Sequence, residues 1–515
     1  MNSYVLGIDL GTESARSGVF DLNGNIIGVG SAAYKTYYEH PGWAEQLVDD
    51  WRNSLIDSIK IAIKNAAVNA ADIIGIGFDA TCCTPVFFDE NNKPTRNSIL
   101  WMDMRSSEEA RFIESIDDPA RRYNGYGKVS AEWFPCKVLW VKKNQPKVYE
   151  RSKIIAECTD WITWLLTSNW TLGINTVTVR GYYDNRNEGF PKNFYEKIGL
   201  GDLFEKLPDK VLKLGKPAGS LRKEIAQETG LSEGIAIAQG GADAQIAVIG
   251  LNALKPKQLA YITGSSHLLL ATTDKEFHVN GLFGTYPDPI IDNTFQIEGG
   301  QTSTGSVLKW FKENFINRAI EDEAKKNNMG IYDYMDLNAA KIPFGSEGLI
   351  VLEHWQGNRT PFVDPYSRGV IRGLSLKHTP FHVYRAIMEA VAYGTEAILR
   401  VIRENSIEIS EVVACGGTTK SNLWLQIYSD VTGLEIKTTT TPEAAMLGSA
   451  ILGAVAAKKY ESITEAASKM VHYEKTIKPN LDANKKYRYF VDQYIKTYHC
   501  LKDSMHEAYT HMQNM

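Results

Sequence analysis

VLGIDLGTESARSGVFD (residues 5–21) and LAYITGSSHLLLATTD (residues 259–274) are written to one plan, each near the start of one half of the 515-residue chain. In both, an apolar strand runs into a turn of glycine and polar residues and a second strand ends on aspartate. The turns are Gly11-Thr12-Glu13 and Gly264-Ser265-Ser266. Glycine between two β-runs lets the backbone come close to a neighbour, and successive turn N–H groups form a concavity suited to an anion. One such hairpin per half predicts two lobes, each offering a phosphate-facing turn. A pair of ordinary β-hairpins has the same pattern.

The surrounding sequence reads as α/β. Asn23-Gly24 marks a two-residue hairpin leading into a strand over residues 25–34, and residues 49–67 have helical periodicity. A short buried strand over residues 73–78 runs straight into the polar loop Asp79-Ala80-Thr81-Cys82-Cys83. Strands alternating with helices give an α/β class. The stretch GIAIAQGGADAQIAVIGLNAL (residues 234–254) reads as a strand, a Gly-Gly break and a helix, which puts a domain boundary near Leu251. The expected organisation is an N-terminal lobe over 1–251, a C-terminal lobe over 252–483 and a polar C-terminal helix over 484–515. A chain this long exceeds one ordinary core.

Composition excludes several classes. With 43% hydrophobic and 23% charged residues and a net charge of −5, the chain has a globular balance and no basic footprint for nucleic acid. Six cysteines without a CxxC pair are no disulfide framework, so a reduced, cytoplasmic compartment is expected. Asp9 falls before any signal-peptide core forms, and no apolar run approaches the ~20 residues that span a bilayer. The ten histidines show no HExxH or other metal-ligand spacing.

Neither GxxxxGK[ST] nor a helix-opening GxGxxG is present, so a bound nucleotide would have to use the hairpin turns. Gly11 and Thr12 offer backbone N–H groups, Arg16 reaches a phosphate oxygen, and Asp9 at the strand end can hold Mg²⁺ through water. Gly264, Ser265 and Ser266 repeat the case in the second half. Asp243, after Gly240-Gly241-Ala242, either caps the following helix or takes the proton of an attacking hydroxyl. Gly416 and Gly417, with Asn422 beyond them, either make a strand-to-helix turn or let a flat base lie on the backbone. Cys82 and Cys83 point to opposite faces of extended chain, which argues for packing over a shared metal.

Together these pieces resemble the FGGY carbohydrate kinase family over essentially the whole chain. The most specific stretch is Gly369-Val370-Ile371-Arg372-Gly373-Leu374, then seven residues, then His382-Val383-Tyr384-Arg385-Ala386-Ile387-Met388-Glu389, which is similar to the family's C-terminal signature. Gly357-Asn358-Arg359-Thr360-Pro361, with Asp364 and Arg368, and Glu443-Ala444-Ala445-Met446-Leu447-Gly448 also resemble family elements. Lys137-Val138-Leu139-Trp140 fits the centre of the N-terminal signature, although Pro135 sits one residue closer to the lysine than usual. The resemblance implies two actin-like, ribonuclease H-like lobes with ATP and sugar between them. It implies Asp243 as the base, with Asp9 and Asp243 framing Mg²⁺. The Gly11-Thr12 and Gly264-Ser265 turns would flank the phosphates, and Gly416, Gly417 and Asn422 would meet the adenosine.

For the sugar, the loop over residues 78–83 stands where xylulokinases carry Gln-Met-His and glycerol kinases Arg-Glu-Thr. Neither triplet is present, and Ala80-Thr81-Cys82 after Asp79 looks more like the ribulokinase branch. Glu298-Gly299-Gly300-Gln301 is similar to that branch's E-x-G-Q run, and Arg180 falls where that branch has lysine, with a different donor geometry. Asp103, in Trp101-Met102-Asp103-Met104-Arg105, is the expected hydroxyl ligand. A structural Arg180–Glu298 ion pair is the competing reading of those two residues. The expected reaction is ATP-dependent phosphorylation of a ketopentose at its terminal C5 hydroxyl. Xylulose, glycerol, erythritol and ribitol are the alternative acceptors. An actin-like ATPase or a non-catalytic sugar-binding regulator are the readings from other classes. A homodimer is expected only from the frequency of dimers among enzymes.

Overall fold

The computed structural model describes residues 3–513. Met1 and Asn2 of the expected first lobe, and Asn514 and Met515 of the expected tail helix, lie outside them.

The first half builds one mixed sheet. Its elements are β1 (Tyr4–Leu10), β2 (Ser14–Asp21), β3 (Ile26–Ala33), helix α1 (Val48–Ala66), β4 (Ile73–Ala80), β5 (Pro217–Ser220), β6 (Ala236–Ala238), β7 (Gly241–Ala242) and helix α2 (Asp243–Gly250). The strand order is β5-β6-β4-β1-β2-β3, with β7 also paired to β4. β1 runs antiparallel to β2 and parallel to β4, and β4 is parallel to β6. α1 starts with Asp49 and Asp50 and ends with Lys64, charges that suit the helix dipole. It buries Trp51, Leu55, Ile59, Ala62 and Ala66, one helical stripe, against the sheet.

The second half repeats the design. β8 (Gln258–Thr263), β9 (His267–Thr273), β10 (Phe283–Pro287) and β11 (Phe295–Gln301) precede helix α3 (Pro380–Glu404). They are followed by β12 (Glu411–Gly416), helix α4 (Asn422–Thr432), β13 (Glu435–Thr439), helix α5 (Ala444–Ala456), β14 (Tyr473–Ile477) and helix α6 (Leu481–Gln513). The order is β10-β11-β9-β8-β12-β13-β14, with β8 antiparallel to β9 and parallel to β12, and β12 parallel to β13. Thus β11-β9-β8-β12-β13 reproduces β3-β2-β1-β4-β6 in order and direction. The repeat legible in one hairpin extends to five strands, the ribonuclease H-like arrangement of an actin-like lobe.

α2 and α5 join the halves. They share a core with Val5 and Phe20 of the first sheet and Ala260, Leu270 and Val413 of the second. α5 belongs by sequence to the second half, yet it lies on the first sheet: a Cβ on Gly77 of β4 would sit 2.0 Å from the Ser449 carbonyl oxygen. The expected polar tail is a helix with one aromatic face. Tyr487, Val491, Tyr494 and Tyr498 are buried, and Tyr487 and Tyr494 donate to Glu389 and Glu353 at 2.9 and 3.0 Å.

Candidate active site

Three carboxylates meet where the strands of the first sheet end. Asp9 is the penultimate residue of β1, and the parallel register sets Asp79 of β4 directly beside it. β7 pairs Gly241 with Asp79 and Ala242 with Ala80, so Asp243 follows at the same edge. Asp243 is the first residue of α2, whose N-cap position belongs to Ala242. Its Oδ1 accepts the N–H of Ala244 at 2.7 Å, and among the described residues no cationic side chain is bonded to it. Burial, then the charge of Asp9, pushes its carboxyl up to about 6 against the pull of the Ala244 N–H and Arg16. Asp79 is 0% exposed. One of its oxygens accepts from Ser449 of α5 at 2.7 Å, and the other accepts no hydrogen bond among the described residues. Burial and then Asp9 hold its carboxyl well above the usual range.

Arg16 bridges the halves at this edge. It donates to Asp9 and, at 2.6 Å, to Glu443 at the start of α5. The turn itself is braced from behind: Gln46 donates to the Thr12 carbonyl at 2.7 Å, the Trp101 indole donates to Thr12 Oγ1 at 3.1 Å, and the Tyr34 hydroxyl donates to the Gly11 carbonyl.

In the second half, Gly264, Ser265 and Ser266 form an exposed turn whose carbonyls are held by Thr304, Gly305 and Ser306. Gly416 ends β12 with φ 92°, and a Cβ there would meet the Thr263 carbonyl oxygen at 1.8 Å. Gly417 has open space where its Cβ would be. Asn422 opens α4, its side-chain oxygen taking Lys475 at 3.3 Å. Cys415, before Gly416, feels the charge of Glu443, which puts this strand end near the Arg16 bridge.

The expected sugar contacts form a separate wall. The buried Lys137 ammonium donates to the carbonyls of Cys83 and Leu100, so the K-x-x-W lysine fixes the loop bearing Ala80, Thr81 and Cys82. Thr84 donates its N–H to Glu157 at 2.9 Å. Burial pushes Glu157 up to about 7 despite that bond and Lys137. Arg180 and Glu298 are paired: Arg180 NH2 reaches both Glu298 oxygens at 2.7 Å, and its NH1 donates to the Tyr286 hydroxyl at 2.6 Å. Arg359 adds a third bond to Glu298 at 2.7 Å. Burial alone would raise the Glu298 carboxyl, but the two guanidiniums outweigh it and keep it ionised. The ion-pair reading of Arg180 and Glu298 therefore describes this conformation. Asp103 is 0% exposed and its oxygens are held by Arg105 at 2.9 and 2.7 Å and by the Ala44 N–H at 2.6 Å, which leaves the expected hydroxyl ligand no free face here.

Sequence reasoning missed Asp79, Ser449 and Glu443 as members of the acidic edge. The signal for Asp79 was its place at the end of a strand parallel to the Asp9 strand. The partners on α5 had no local signal, because they come from the other half of the chain.

Both halves match the FGGY family of carbohydrate kinases, its N-terminal domain over residues 4–250 and its C-terminal domain over residues 259–457. The chain is 34% identical to a ribulokinase of Geobacillus thermodenitrificans and 33% identical to one of Anoxybacillus flavithermus, each alignment spanning 92% of this chain and 90% of the relative. Among solved structures, the xylulose kinase of Rhodospirillum rubrum superposes with a TM-score of 0.86 at 22% identity, over 98% of this chain and 100% of that one. That likeness supports the fold. The chain belongs to the FGGY family of carbohydrate kinases.

Proposed function

We propose that this chain transfers the γ-phosphoryl group of ATP to the terminal C5 hydroxyl of a ribulose-type ketopentose, with Asp243 as general base. The observation that carries the reading is the state of Asp243. It is half-buried, fixed in direction by one backbone N–H, paired with no cationic side chain among the described residues, and held up at about 6 by burial and the charge of Asp9. Such a group is ionised near neutral pH and still basic enough to accept a hydroxyl proton as attack proceeds. Ribulose is favoured by the names of the relatives and by the Ala80-Thr81-Cys82 loop.

The division of labour follows from position. Residues 1–251 would bind sugar and phosphates, residues 252–483 would bind the nucleotide and add Glu298 and the Gly264 turn to the site, and the terminal helix would brace the second lobe. The turns at Gly11-Thr12 and Gly264-Ser265-Ser266 would receive the phosphates with backbone N–H groups, while the open Gly417, with Gly416 before it and Asn422 at the rim, would meet the adenosine. Among the described residues no group of three or more His, Cys, Asp or Glu is ready to hold a bare ion. Asp79 and Asp243, both raised by the charge of Asp9, with one Asp79 oxygen accepting no hydrogen bond among the described residues, nevertheless fit a cation arriving with its own oxygen ligands. Mg²⁺ bound with the nucleotide would neutralise phosphate charge, and Asp9 and Asp243 would hold it through water. Among the described residues no helix is long and apolar enough to cross a membrane, and we place the enzyme in the cytoplasm, as a homodimer.

ADP release measured over D- and L-ribulose, xylulose, ribitol, erythritol and glycerol tests the acceptor. A ribulose enantiomer is expected to give the highest kcat/KM. A higher value for xylulose or glycerol would refute the acceptor assignment, and ADP release that no sugar stimulates would refute the kinase assignment.

A further inference from the structure

The run Gly357-Asn358-Arg359-Thr360-Pro361 marks the family, and it reaches the site through the Arg359 bond to Glu298. Thr360 stitches it to β11: its Oγ1 accepts the Gly300 N–H at 2.7 Å and donates to the Gly300 carbonyl at 2.9 Å. The stem of Arg359 lies along the same glycine, where an added Cβ would be 3.6 Å from Arg359 Cδ. Its guanidinium sits 5.9 Å from the Phe283 ring centroid and makes one hydrogen bond, to Glu298 Oε1. The side chain is 28% exposed, and among the described residues its other N–H groups meet no protein acceptor.

Glu298 is in the opposite condition. An ionised carboxylate has about four lone-pair directions, and guanidinium N–H groups of Arg180 and Arg359 already occupy three. Little capacity is left for sugar hydroxyls. The charges do not cancel either. Two guanidiniums face one carboxylate, and the neighbouring Lys137 and Glu157 at most offset each other. Tyr286 feels Arg180, Glu298, Arg359 and Cys82 together, so this excess positive charge lies along the wall that carries the loop of Ala80, Thr81 and Cys82.

We propose that Arg359 binds an oxygen of the acceptor sugar, and that with Arg180 it gives the pocket a preference for an electron-rich or anionic end of that acceptor. The proposal rests on the pentulose-kinase reading. Glu298 then aims both arginines, and its Oε2, which takes one bond from Arg180, keeps room for a sugar hydroxyl.

The test compares wild type, Arg359→Gln and Arg359→Lys in three titrations: D- and L-ribulose in turnover, ribonate and ribitol as competitive inhibitors, and MgADP by calorimetry. Wild type is expected to bind ribonate about tenfold more tightly than ribitol, as a charge-assisted bond implies. Arg359→Gln is expected to raise the ribulose KM about 10- to 100-fold, leave kcat within about threefold, abolish the ribonate preference and leave MgADP binding unchanged. Arg359→Lys keeps the charge and loses the fork, so it retains the ribonate preference with a raised KM. A ribulose KM within about twofold of wild type in Arg359→Gln, or a ribonate preference that survives it, would overturn the proposal. If Arg359→Gln loses MgADP binding through misfolding, the ribulose KM of Arg359→Lys decides. A wild type that binds MgADP but turns over neither ribulose would fault the kinase reading instead.

Discussion

At the scale of single residues, Asp243 titrates at about 6 in the fold against 3.8 for an unperturbed aspartate. A carboxyl raised in this way favours the folded state in its neutral form. Its contribution is fully present below pH 4 and is lost as pH rises through 6. Asp243→Asn should therefore raise the unfolding free energy by about 1–2 kcal/mol at pH 8 and by close to nothing at pH 3, read from urea melts. The same variant should lose about 10²- to 10⁴-fold in turnover. In wild type, log kcat/KM should fall on the acid side with an apparent pKa near 6; a profile flat down to pH 5 would remove Asp243 as the base. Asp9 and Asp243 were legible because each lies two residues from a glycine where a strand gives way to a turn or a helix. Asp79 was not, since its meaning comes from strand register. Arg180 and Glu298 were legible as a pair, but the third member, Arg359, is 61 residues from Glu298, and only folding brings it there.

Between single residues and the whole lie the elements, and here α5 carries the argument. Its sequence, AAMLGSAILGAVA, signals close packing through small residues, but nothing local says that the surface it meets is the other half's sheet. Glycines on both sides of the site now make opposite predictions. Gly77→Ala puts a Cβ 2.0 Å from the Ser449 carbonyl and should cost about 3 kcal/mol of stability. Gly417→Ala meets nothing within 4 Å and should change stability by less than ~0.5 kcal/mol. If the adenosine lies there, its ADP affinity should fall about tenfold in calorimetry; unchanged ADP binding would move the base elsewhere. Boundaries of strongly periodic elements were read well: α1 was expected at 49–67 and runs Val48–Ala66. The tail shows the limit, because its tyrosines at helical spacing read as polar although their rings form a buried stripe.

For the whole molecule, the halves are tied by ion pairs on both sides of the proposed cleft: Arg16–Glu443 at the acidic edge, Arg180–Glu298 on the sugar wall, and Arg186–Asp288 at 2.5 Å beyond it. The most specific sequence signature lies away from these. Its Glu389 accepts from Arg385, Gly345, Ser346 and Tyr487, so the motif that identifies the family holds the second lobe and its terminal helix together. Recognition thus rested on structural residues, and the chemistry had to be found elsewhere, at strand ends that two halves bring together. The most direct test of the central claim is ³¹P NMR of ATP and ribulose with the enzyme. Wild type should form ribulose 5-phosphate in step with ADP, and Asp243→Asn, folded and still binding MgADP, should form both at least about 10²-fold more slowly. ADP and inorganic phosphate appearing without a sugar phosphate would contradict the account.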